Sequence, residues 1–150
     1  MAQEFDQDRI AQVTGDRTAT DDQTLWGFKV IKKVIGADGV QEGEAAALRA
    51  TMLQYGSSAA MVKAIDDFDV KSVTLPDLLK VESRGYGIKR LIYAAVLVAW
   101  ADGKYSPEES AAVREVADYF KISHSNVAAI EHLIQAEQQM TQMRLALLSD

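Results

Sequence analysis

Ala101-Asp102-Gly103-Lys104-Tyr105-Ser106-Pro107-Glu108-Glu109 decides how this chain folds. Its second half starts a helix. Ser106 is a preferred cap, and Pro107 takes the first helical position, where its missing N–H would have had no partner. Glu109 stands where its carboxylate can bond back to the cap backbone. The first half ends the helix before it, because Asp-Gly favours a turn. That preceding helix, predicted over Ile88 to Ala101, carries Leu91, Ile92, Ala95, Val98 and Ala99 and is apolar on most sides, the mark of a central helix. Its most apolar run, Leu91 to Ala101, is about half the length that a bilayer crossing needs.

The same plan occurs earlier, around Ala37-Asp38-Gly39. Leu25, Phe28, Val30, Ile31, Val34 and Ile35 recur at helical spacing after a cap at Asp21 or Asp22, and the helix stops near Asp38-Gly39. A second helix is predicted from about Glu42 to Tyr55, on the stripe Ala45, Leu48, Met52 and Tyr55, with Gly56 as its stop. Sliding the chain by 64 positions superposes Asp38 on Asp102, Gly39 on Gly103, Glu44 on Glu108 and Tyr55 on Tyr119. A shift of 65 instead pairs Glu44 with Glu109 and Leu48 with Val113, and both registers stay open. Two helical hairpins with one apolar face each would bury those faces against each other, about a pseudo-twofold axis.

Between and beyond the two hairpins the pattern stays helical. Ser57 or Ser58 caps a short helix through Met61, Val62, Ile65 and Phe68; Thr74 caps another, interrupted by Ser83-Arg84-Gly85-Tyr86-Gly87. The helix begun at Ser106 runs to Phe120, and Ser123 or Ser125 opens a last one through Val127, Ile130, Leu133, Ile134, Met140, Met143 and Leu147. Some of this helix is expected to extend past the bundle, or to pack on the N-terminal segment. No strand alternation of useful length is present. Residues 1–22 are polar apart from Phe5, Ile10 and Val13 and read as a loose or partly helical arm, leaving 23–150 as one helical domain.

The turn at Ala101 to Glu109, between an apolar and an amphipathic helix, resembles the signature of the tellurite-resistance TerB family and its TerB-like relatives. Ala37-Asp38-Gly39-Val40-Gln41-Glu42-Gly43-Glu44 resembles the family's first repeat, and the likeness covers about residues 24 to 135. It implies an all-α, compact bundle of about seven helices, a link to chemical-stress responses at the membrane, and acidic residues that hold a metal ion. It implies no established enzymatic reaction. Here the first repeat is one residue short between Gly39 and Glu44 and opens its helix with Gly43 in place of Ser-Pro, so an ion site is expected to lean on the second turn.

Composition narrows the function classes. The 150 residues are 48% apolar, enough for a core without staples, and the formal charge of −6 argues against nucleic acid as a partner. Without cysteine there is no disulfide framework, thiolate nucleophile or iron–sulfur cluster. The N-terminus lacks the basic and apolar regions of a secretory signal, which predicts a cytoplasmic protein with at most peripheral membrane attachment.

If the two turns converge, Asp38, Glu44, Asp102, Glu108 and Glu109 present oxygens to one hard cation, calcium or magnesium in preference to zinc. The spacing is not that of an EF-hand, since Lys104 and Ser106 fall where donors should alternate. Local capping accounts for each of these acids without an ion, so both readings stand. His124 and His132 lie about 12 Å apart along a helix, too far to share a metal, and are assigned structural roles. Lys29, Lys32 and Lys33 read as a solvated face, Trp100 as core, and Trp26 as core or groove lining. The function expected is a non-catalytic, ion-responsive module that binds a protein partner. A metal-dependent hydrolase and a membrane-recruited adaptor are the alternatives, and the oligomeric state is left open.

Overall fold

A computed structural model of the chain describes residues 20–81 and 87–149, and the backbone alone of residue 102. Residues 1–19 of the expected N-terminal arm, and 83–86 of the expected interruption, lie outside the described residues. Seven α-helices and no strand occur among the described residues: α1 Asp21–Ile35, α2 Glu42–Gln54, α3 Ala59–Asp67, α4 Leu75–Lys80, α5 Ile88–Ala99, α6 Pro107–Tyr119 and α7 His124–Leu148. A single 3₁₀ turn follows α1, over Gly36–Asp38, and another follows α5, over Trp100–Asp102.

Most of the helices start where a side chain can take an orphan backbone N–H; α5, which follows Gly87, has no such cap. For α1 the cap is Thr20, one residue ahead of the expected aspartates. The Thr20 hydroxyl accepts from the Gln23 N–H at 3.3 Å while Gln23 Oε1 accepts from the Thr20 N–H at 2.9 Å. Asp21 and Asp22 then fall in the first turn, where they complement the helix dipole. Ser58, Thr74, Ser106 and Ser123 cap α3, α4, α6 and α7.

The core forms where α1 lies along α5. Val30, Ile31, Val34 and Ile35 of α1 are buried, as are Leu91, Ile92, Ala95, Val96, Val98 and Ala99 of α5. Burial nearly all round α5 follows from its position, because α1, α2, α6 and α7 all pack on it. Of the two tryptophans, Trp26 takes the core place left open for it, and Trp100 is less buried than expected. Trp26 is buried, its Nε1 donating to the Leu78 carbonyl at 3.0 Å and its ring meeting the edge of Phe120. Trp100 is half-buried and stacks on Tyr105 with ring centroids 5.6 Å apart.

The lysines of α1 do not form a solvated face either. Lys32 Nζ donates to the carbonyls of Ile65, Asp66 and Phe68 at 2.6, 3.0 and 2.7 Å, and Lys33 Nζ donates to that of Val70. A cation there complements the negative end of α3 and holds the carbonyls of its last turn and exit. Burial lowers the Lys32 pKa, against the pull of Asp66, Asp67 and Asp69.

The two halves are exchanged across the bundle. α6 packs on the first 3₁₀ turn, α2 packs on the second, and α1 meets α6 as α5 meets α2. This reciprocity is what a pseudo-twofold arrangement of two hairpins requires. The register changes within each repeat. Helix ends Ile35 and Ala99 and the glycines Gly39 and Gly103 are related by a shift of 64, whereas caps Gln41 and Ser106 and helix ends Gln54 and Tyr119 are related by 65. The extra residue therefore sits in the loop, where Lys104 and Tyr105 stand against Val40 alone. Even the exits correspond, since Gly56 and Lys121, also 65 apart, both have positive φ, 75° and 59°.

Candidate metal centre

The crossing of the two repeats brings carboxylates together. Asp38 ends the first 3₁₀ turn, Glu44 is the third residue of α2, and Glu109 is the third residue of α6. Each offers one oxygen, and the three oxygens lie within 4.8 Å of one another. Asp38 is exposed, while Glu44 and Glu109 are 1% and 2% exposed, the two charged side chains buried in the core among the described residues.

The same local rule positions both glutamates. Glu109 Oε1 accepts from the Ser106 N–H at 2.9 Å, while the Ser106 hydroxyl accepts from the Glu109 N–H at 3.1 Å. Glu44 Oε1 accepts from the Gln41 N–H at 3.1 Å. Capping therefore explains one oxygen of each carboxylate. It does not explain the other. Glu109 Oε2 is buried and has no hydrogen-bond partner among the described residues. Leaving a carboxylate oxygen dry and unpaired costs about 1–3 kcal/mol or more, so such an atom calls for a ligand.

Glu108 does not join the group. It is exposed, one residue and so about 100° round the helix from Glu109. The register explains the difference, because the shift of 65 makes Glu109, and not Glu108, the counterpart of Glu44. Asp102 ends the second 3₁₀ turn against α2; its side chain lies outside the described residues. The described group takes Asp38 and Glu44 from the first repeat and Glu109 from the second. Among the described residues both repeats supply the group, and the shorter first loop delivers its glutamate to the same place as the longer second one.

Neither histidine belongs to the group. His124 Nε2 meets Asp118 Oδ1 at 2.7 Å on the surface, and His132 is exposed. A second polar cluster, which spacing did not reveal, links α6 to α7. Arg114 donates to both oxygens of Glu131, at 2.8 Å from Nη2 and 3.1 Å from Nη1, and Nη1 also donates to the Ser110 hydroxyl at 2.5 Å. Burial pushes the Glu131 pKa up, but the hydrogen bonds from Arg114 and Ser110, with the Arg114 charge, outweigh it and the net shift is downward. Burial, with Glu131 alongside, raises the Tyr105 hydroxyl pKa. The pairing spans 17 residues and two helices, so only the packing of α7 on α6 creates it.

An all-helical bundle of two interlocked hairpins, with acidic residues where they cross, defines a class of domain. Within it, the family described as "Tellurite resistance protein TerB" matches residues 28–132, and the chain belongs to that family. A crystal structure of a tellurite resistance protein from Nostoc punctiforme is similar in fold. Its TM-score is 0.77 at 22% identity, over 93% of this chain and 89% of that one. No curated protein matched the chain. Among the described residues, no helix is long and apolar enough to cross a membrane.

Proposed function

We propose that this TerB-family chain is a non-catalytic module that binds a divalent cation at Asp38, Glu44 and Glu109, with Asp102 at the end of the facing turn, and engages a protein partner in a stress response. The buried Oε2 of Glu109, beside two other carboxylates, carries this reading. Three carboxylate oxygens so close, two of them on buried side chains, form a set that a cation lying between them would hold together. The donors are all carboxylate, a set suited to a hard ion and poor in the imidazole that a catalytic centre usually employs for proton transfer. An ion bound there bridges the two repeats. It is also held against the positive ends of two helices, α2 and α6, which favours exchange over permanent occupancy. Lys32 and Lys33 are engaged with backbone carbonyls, which draws them away from a lipid-facing role. The end of α7, with Met140, Met143, Leu147 and Leu148 exposed, offers an apolar surface to a partner.

The test is thermal unfolding with and without divalent ions. At an ion concentration about a hundredfold above Kd, the wild-type Tm should rise by about 5–10 °C. In the double variant Glu44→Gln/Glu109→Gln the carboxamides still accept at the caps, so the fold should persist and the rise should vanish. A wild-type Tm that ignores calcium, magnesium and manganese alike would sink the proposal.

A further inference from the structure

The kind of ion follows from what the two glutamates already do, a step that rests on the ion-binding reading above. Glu44 and Glu109 each commit Oε1 to a backbone N–H, that of Gln41 at 3.1 Å and that of Ser106 at 2.9 Å. Those bonds close the starts of α2 and α6, so neither carboxylate can turn without uncapping its helix. Both side chains are also buried, at 1% and 2% exposure, which removes room for a second rotamer. A carboxylate fixed in this way meets an ion through one oxygen. Oε2 of Glu109, buried and without a hydrogen-bond partner, is the oxygen left for that role.

Denticity separates the hard cations. Calcium gathers about six to eight oxygens and commonly fills its shell with a bidentate carboxylate, whereas a magnesium-sized ion takes six in a near-ideal octahedron and keeps several waters. Asp38 is exposed, so one side of the crossing opens to solvent and can hold those waters, while Glu44 and Glu109 close the other. We infer that the crossing selects a six-coordinate, water-carrying ion of the magnesium or manganese class over calcium, because the two capping bonds restrict Glu44 and Glu109 to one oxygen each.

Titration of the full chain with Mn²⁺, Mg²⁺ and Ca²⁺ chlorides, followed by calorimetry, tests this. Mn²⁺ should bind about tenfold or more tightly than Ca²⁺, and a crystal soaked in Mn²⁺ should show each glutamate giving one oxygen, with bound water completing the octahedron. Glu109→Gln should weaken Mn²⁺ about tenfold or more while the Tm in ion-free buffer is maintained. Calcium binding as tightly as manganese, or a bidentate Glu44 or Glu109 in the soaked crystal, overturns the selectivity and leaves ion binding standing. Unaltered Mn²⁺ affinity in Glu109→Gln puts the ion elsewhere and overturns it too. No heat from any of the three ions overturns both this inference and the function it rests on.

Discussion

Gly39 leaves the first 3₁₀ turn at φ 93° and ψ 128°, a region closed to residues with a Cβ, while Gly103 leaves the second in the left-handed region at φ 80° and ψ 5°. A Cβ at either position would meet nothing within 4 Å, so the demand for glycine is conformational and not steric. Gly39→Ala should therefore cost about 1–3 kcal/mol in urea unfolding, and Gly103→Asn, which suits the left-handed region, less than about 1 kcal/mol. At this scale the sequence was readable for capping and silent on the dry oxygen. The spacing of Ser106 and Glu109 announces a capping box, but no spacing tells whether the second carboxylate oxygen faces water or another carboxylate. Lys32 makes the same point. Its place on α1 suggests a solvated face, and only the approach of the C-terminal end of α3 supplies the three carbonyls that its ammonium holds.

Helices were legible because their starts are local chemistry. Thr74, Ser106 and the final helix's Ser123 are caps that need nothing beyond their own next turn, and the apolar rows of α1 and α5 repeat at helical spacing. Contacts between helices were not legible, and the Arg114–Glu131 pair between α6 and α7 is the clearest case. Its side chains are 29% and 15% exposed, so screening by water is partial. Glu131→Gln should destabilise the protein by about 1–3 kcal/mol at pH 7. The folded-state pKa of Glu131 is lowered, so its contribution is complete above the unfolded value of about 4.3 and is lost as pH falls through the folded one. The gap between the unfolding curves of wild type and variant should accordingly begin to narrow only below about pH 4.3; a gap that does not shrink on acidification would show that the pair acts through packing alone.

Across the whole molecule, α7 divides in function. Val127 and Ile134 are buried against the bundle, while Met143, Leu145, Leu147 and Leu148 are 54% to 79% exposed. Ending the chain after Gln142 should shift Tm by no more than about 2 °C, whereas Ile134→Ala should cost about 2–5 kcal/mol through the cavity it leaves. The sequence by itself determined the helical class, the two Ala-Asp-Gly turns and the hairpin plan, because turn chemistry, capping and apolar period act over a few residues. Only the tertiary structure decided the register, a shift of 64 before each turn and 65 after it, because loop length is absorbed in space and not in sequence. It also decided that Glu109 and not Glu108 meets Glu44 and Asp38, because two helices must cross before carboxylates from distant parts of the chain can share one site.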